Sequence, residues 1–108
     1  MKVEDQPNSI TGAPNLDQLA VFRILGNELR WEIVKVLLAK GPMTASDVAN
    51  LFQRDFDGVS KHLRLMADAG VLSAEVGKDR RLVYYSVPAR FRRETDWLDF
   101  GSCRVRIS

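Results

Sequence analysis

The stretch that decides the fold is TASDVANLFQRDFDGVSKHLRLMADAG, residues 44–70. Thr44 and Asp47 have the spacing of a capping box, in which a hydroxyl and an acidic side chain three residues on each satisfy a backbone N–H at a helix start. Val48, Leu51 and Phe52 give the short helix that follows an apolar face. Gln53-Arg54-Asp55 interrupts the pattern. A longer helix then runs over 55–69, with Val59, Leu63, Met66 and Ala69 on its inner side and Gly70 as its stop. Two helices of this length across so short a break make a helix-turn-helix.

Working outward, Val71 to Val76 alternates as a strand, Gly77-Lys78-Asp79-Arg80 is a turn, and Arg81 to Val87 is a return strand that ends at Pro88. On the other side, Lys40-Gly41-Pro42 closes a helix that runs from Glu28 to about Ala39 after Gly26-Asn27. Before it lies a helix that begins at Asn15, where Asn15 and Gln18 have capping-box spacing. Leu16, Leu19, Phe22, Ile24 and Leu25 make this first helix apolar over more than one face, so it needs cover from the core and from a partner subunit. The fold class is mainly α with a small β-hairpin (α+β), a winged helix-turn-helix. Residues 1–14 read as a flexible arm, 15–93 as the DNA-binding domain, and 94–108 as a tail for dimer or core packing. Within the tail, Arg90 to Asp96 holds at most a short helical turn and Trp97 to Ser102 an apolar bend. Cys103, Val105 and Ile107 alternate with Arg104 and Arg106 as a strand. That strand is expected to pack on the first helix or to add an intersubunit strand.

Charge is unevenly placed. The chain of 108 residues has a net charge of +2, yet residues 54–93 alone carry +4, with −1 on either side. Basic charge thus collects on the longer helix and the hairpin. No apolar run reaches the ~20 residues that cross a bilayer, and the first residues lack a secretory pattern. One cysteine points to a reducing cytoplasm. One histidine, one cysteine and no glycine-rich phosphate loop leave no nucleophile–base pair or cofactor site to assign, so an enzyme is not expected.

Four stretches, in order and without a gap, resemble the ArsR-type winged-helix repressor family. These are the helix from Leu25 through Arg30 and Ile33 to Leu37, the helix from Thr44 to Phe52, the pair Val59-Ser60-Lys61-His62-Leu63-Arg64 and Ala69-Gly70-Val71-Leu72, and the hairpin from Gly77 to Tyr85. The resemblance implies a homodimeric repressor that binds double-stranded DNA at a palindromic operator. Metal-sensing members use cysteines on the third helix or acid and histidine ligands on the last helix. Residues 44–52 contain neither cysteine nor histidine, and 89–108 contain no histidine. A non-metal-sensing member with no cofactor is therefore expected, its inducing ligand unknown.

The candidate contact residues follow from this placement. Asp57, Ser60, Lys61, Arg64 and Asp68 share the side of the longer helix away from its apolar stripe. Ser60 suits a base edge or a phosphate, and Lys61 and Arg64 suit guanine or the backbone. Asp57 is unfavourable near phosphates unless it accepts from a cytosine amino group. His62 reads as a structural or phosphate-bonding residue. In the hairpin, Lys78, Arg80 and Arg81 are the DNA-facing cations, with Arg80 suited to a phosphate or a minor groove. Asp55-Phe56 stands where the family has Ser-Gln; Asp55 caps the helix, and Phe56 is expected to fill the core. Cys103 is a small buried hydrophobe or a redox switch. Asp55, Phe56 and Asp57 also favour the alternative of a winged-helix protein-interaction module.

Overall fold

The computed structural model describes residues 16–107. Helix α1 spans Gln18–Leu25, α2 Glu28–Lys40, α3 Ala45–Phe52 and α4 Phe56–Asp68. Each begins at a side chain that accepts from an amide the helix itself leaves unpaired. Asp17 accepts from Ala20 N at 3.0 Å, Asn27 from Arg30 N at 3.0 Å, Thr44 from Asp47 N at 3.1 Å and Asp55 from Gly58 N at 2.8 Å. Asp47 returns a bond to Thr44 N at 3.1 Å, which completes the capping box. Asn15, the cap expected for α1, lies outside the described residues; Asp17 is the capping residue, so the helix starts at Gln18.

Gly70 follows α4 at φ +85°, a left-handed conformation that glycine adopts without steric cost. The amides of Val71 and Leu72 both reach back to Met66 O, at 3.0 and 3.3 Å. These bonds draw the two buried residues into the closing turn of the helix. Strand β2 therefore runs only over Ser73–Val76, shorter than the expected 71–76. Its partner β3 is Val83–Ser86, shorter than the expected 81–87, because Leu82 closes the turn by donating to Asp79 O at 2.9 Å and accepting from Gly77 N at 2.9 Å.

A third strand, β1 (Met43–Thr44), pairs antiparallel with β3 through Met43↔Tyr85 and Thr44↔Tyr84, giving the order β1-β3-β2. Thr44 thus caps α3 and occupies a sheet position at once. The wing is anchored to the α2–α3 connection as well as hanging from α4. Glycine at 77 leaves room for the Tyr84 ring: a Cβ there would lie 2.7 Å from Cε2 of Tyr84, so the ring would have to shift.

The tail departs most from expectation. A single 3₁₀ turn, Ala89–Phe91, replaces the short helical turn, and the expected bend contains a strand. Strand β4 (Trp97–Asp99) pairs with β5 (Arg104–Arg106) in the register Trp97↔Arg106, Leu98↔Val105, Asp99↔Arg104. This hairpin packs on the start of α1: Leu16 N donates to Phe100 O at 2.8 Å, and Ser102 Oγ donates to Leu16 O. Phe91 and Phe100, both fully buried, meet with ring centroids 4.8 Å apart. Leu98 and Ile107 belong to the same core as Ile33, Leu37, Val48 and Leu63.

Residues 97–107 are consequently part of the core that holds the helix-turn-helix. Removing one buried phenylalanine costs about 3–5 kcal/mol, against a total of about 5–15 for a domain. Phe100→Ala should lower the melting temperature sharply, and deletion of residues 97–108 should abolish the cooperative thermal transition, beyond weakening any dimer. Circular dichroism melts of both variants check this; a truncated chain that still melts cooperatively would contradict the packing.

Candidate nucleic-acid interface

Helices α3 and α4 form the helix-turn-helix, with α4 in the recognition position and its cap at Asp55. Its apolar row Val59, Leu63 and Met66 is buried, as expected. Asp57, Lys61, Arg64 and Asp68 are exposed together on the other side. Two residues fall elsewhere than expected. Ser60 is only 8% exposed, and its Oγ accepts from Arg64 Nη1 at 2.8 Å. Phe56 is 52% exposed and does not fill the core, to which Val48, Val59 and Leu63 belong. A polar residue on the apparent groove side is thus tucked in, and an aromatic one is turned out.

Phe56, Ser60 and Arg64 recur every four residues and form one wall of a cleft of about 320 Å³. The wing lines the same cleft through Arg81, Leu82 and Val83, together with Thr44 and Tyr85. The recognition helix and the wing therefore flank a single concave surface, with Arg64 on one side and Arg81 on the other.

The wing cations differ in availability. Lys78 and Arg80 are exposed and form no ion pair among the described residues. Arg81 instead forms a two-pronged pair with Asp79, Nε to Oδ1 at 3.1 Å and Nη2 to Oδ2 at 2.9 Å, and its backbone amide also donates to Oδ1. The side-chain bonds, then the backbone bond, hold the Asp79 carboxyl below its usual range.

His62 sits behind the exposed face. Arg30 on α2 donates Nη1 to His62 Nδ1 at 3.2 Å, while its Nε donates to Ile24 O at 2.8 Å and its Nη2 to Arg23 O at 3.4 Å. A guanidinium can only donate, so Nδ1 is the acceptor and the ring proton resides on Nε2. Partial burial, then the charges of Arg30 and Arg54, lower the pKa of His62. Its neutral form is the native one. Arg30 and Arg54 were not among the expected site residues; the signal for Arg30 was its place in the second-helix motif.

Cys103 is half-buried on the far hairpin, with Ser102 Oγ at 3.9 Å from its sulfur. The neighbouring Arg104 is engaged by Glu94 at 2.9 Å and lies over the Trp97 ring at 5.3 Å. Among the described residues no three His, Cys, Asp or Glu side chains gather as a metal site, and no helix is long and apolar enough to cross a membrane.

The model of the family described as HVO_A0114 matches residues 26–87, which hold the second helix, the helix-turn-helix and the wing. The chain belongs to the HVO_A0114 family. Among curated relatives, this HVO_A0114 chain is 36% identical over 72 residues to the cadmium resistance transcriptional regulatory protein CadC homolog of Staphylococcus aureus, a match covering 67% of this chain and 58% of that one. It is 33% identical over 66 residues to the CadC proteins of Listeria innocua and Lactococcus lactis, covering 61% of this chain and 54% of theirs. The chain spans a little over half the length of these relatives. Among solved structures, HlyU from Vibrio cholerae N16961 aligns with a TM-score of 0.58 at 17% identity, covering 78% of this chain and 82% of its own. AntR, an antimony-specific transcriptional repressor, aligns at 0.57 and 19% identity, covering 81% of each. The winged-helix architecture and the ArsR-type resemblance read from the motifs are borne out.

The geometry of His62 sets a pH dependence. It is the chain's only histidine, so the window just below pH 6.5 reports on it. Because its native pKa lies below the unfolded value, its contribution to stability is fully present above about pH 6.5 and is lost as pH falls through the native pKa. Wild-type melting temperature should fall between about pH 6.5 and 5, and the fall should flatten in His62→Gln. Equal slopes for the two proteins would show that His62 stays outside this balance.

Proposed function

We propose that this chain is a sequence-specific DNA-binding transcriptional regulator, a homodimeric repressor working in the cytoplasm. The observation that carries the reading is the shared cleft: the recognition helix and the wing line one concave surface, to which they bring Arg64 and Arg81, and the wing adds Lys78 and Arg80, which form no ion pair among the described residues. A duplex would lie over the outer edges of this cleft, with α4 toward the base edges and the wing along the phosphates. Lys61 and Arg64 are positioned to read guanine or to hold the backbone, and Lys78 and Arg80 to hold phosphates. His62 acts behind them, keeping α4 in place.

The test is a titration, followed by anisotropy at two salt concentrations, of labelled duplex from the upstream region of the chain's own gene, with random duplex as control. Tight binding that weakens steeply with salt and exceeds the control is expected. Arg64→Ala should cost about 1–3 kcal/mol and relax sequence preference, whereas Arg80→Ala should weaken all sequences alike. Equal, weak binding to both duplexes would instead favour the protein-interaction module, for which the exposed Phe56 between two carboxylates is the supporting feature.

The dimer reading rests on α1. Val21, Ile24 and Leu25 face the core, while Leu19 and Phe22, one helical turn apart, are 61% and 49% exposed. A second α1 would cover them, placing two recognition helices on half-sites about 10 bp apart. Joint substitution Leu19→Glu and Phe22→Glu should convert the sedimenting dimer to monomer; an unchanged dimer mass would exclude this face.

The CadC relatives are named for cadmium resistance, and AntR for antimony. We read the present chain as insensitive to such metals, because one cysteine per chain supplies too few soft ligands for a three- or four-coordinate thiophilic site. Cadmium at micromolar excess should leave the DNA dissociation constant within experimental error; a marked loss of binding reversed by chelator would overturn the reading.

A further inference from the structure

Phe56 is the first residue of α4 and leaves half its surface in water, at the mouth of the cleft between helix and wing. Among the described residues it is not part of the core cluster. Its neighbours define what can approach it. Asp55 is committed to the amide of Gly58, and Asp57 is exposed in the same first turn. The two carboxylates next to Phe56 in the chain repel phosphate oxygens, so this helix start is unsuited to the DNA backbone. They are suited to the amino groups that adenine and cytosine present in the major groove. Across the cleft, Leu82 supplies a second apolar surface, 39% exposed. The cations Arg64, Lys78 and Arg80 lie further along the helix or out on the wing.

The apolar feature that B-form DNA offers in its major groove is the 5-methyl group of thymine, and an aromatic side chain is one of the groups that contacts it. We propose that Phe56 is a specificity-determining residue of the recognition helix that selects thymine through its methyl group. This rests on the DNA-binding reading above and adds to it the identity of one base. Ser60, with its hydroxyl held by Arg64 and its surface covered, leaves the first turn's apolar readout to Phe56.

The test first selects the preferred duplex from a random library with the wild-type protein. Each thymine of that duplex is then replaced by deoxyuridine, which removes only the methyl group. Wild-type affinity should fall about four-fold at one thymine in each half-site, the factor that corresponds to one buried methyl group. Phe56→Ala should bind methylated and unmethylated sites equally, and Phe56→Leu should retain part of the difference. Thermal melts check that both variants fold. Wild-type binding that is indifferent to every methyl, or an unchanged four-fold difference in Phe56→Ala, would overturn the proposal while leaving sequence-specific DNA binding intact. Failure to select any duplex would overturn both readings.

Discussion

The guanidinium of Arg30 is the point on which the placement of the recognition helix depends. Helix α1 ends with carbonyls that no amide of its own can satisfy, and Arg30 supplies donors to Ile24 O and Arg23 O. It also places positive charge at the negative end of that helix. The same group reaches His62 in the middle of α4. One side chain thus fixes three helices relative to one another: α1, which exposes an apolar pair, α2, which carries the arginine, and α4, which presents the candidate contact residues. Lysine has a single nitrogen and could not hold three partners in this fork. The neutral state of His62 belongs to the same arrangement, since a protonated ring would set two cations against each other.

A second constraint comes from the far end of the chain. The apolar residues of α1 to α4 do not close the core by themselves; Phe91, Leu98, Phe100 and Ile107 complete it. The β4–β5 hairpin is therefore part of the packed core, beside α2 and tied to Leu16 by hydrogen bonds from its turn. The three-stranded sheet lines the cleft, and the two-stranded one contributes to the core.

Much of this was legible in the residues. Asn27, Thr44 with Asp47, and Asp55 are caps whose chemistry is local, so their spacing predicted three helix starts correctly. The wing was equally visible, since Gly77 to Arg80 separates two β-rich runs. Strand β1 was not: two residues have no period, and Thr44 already read as a cap. Strand β4 was hidden because Trp97, Leu98 and Phe100 lie beside Gly101 and Ser102, and a short apolar run next to turn residues looks like a bend until its partner is known. Ser60 and Phe56 were misplaced for one shared reason. Polarity was used to decide which way each side chain points, whereas an arginine one turn along can satisfy a buried hydroxyl, and a crowded core can leave an aromatic ring outside.

The Asp79–Arg81 pair gives the wing a built-in substitute for phosphate. In the free protein the Arg81 fork is already occupied by a carboxylate of matching shape. Docking on a duplex would exchange one anion for another at this arginine, without adding a new neutralised charge. The displaced carboxylate would then lie close to the DNA backbone and oppose it. The wing would consequently release fewer ions from the duplex than its three cations suggest, and its tip would act partly as a brake on indiscriminate binding, leaving discrimination to the helix beside it.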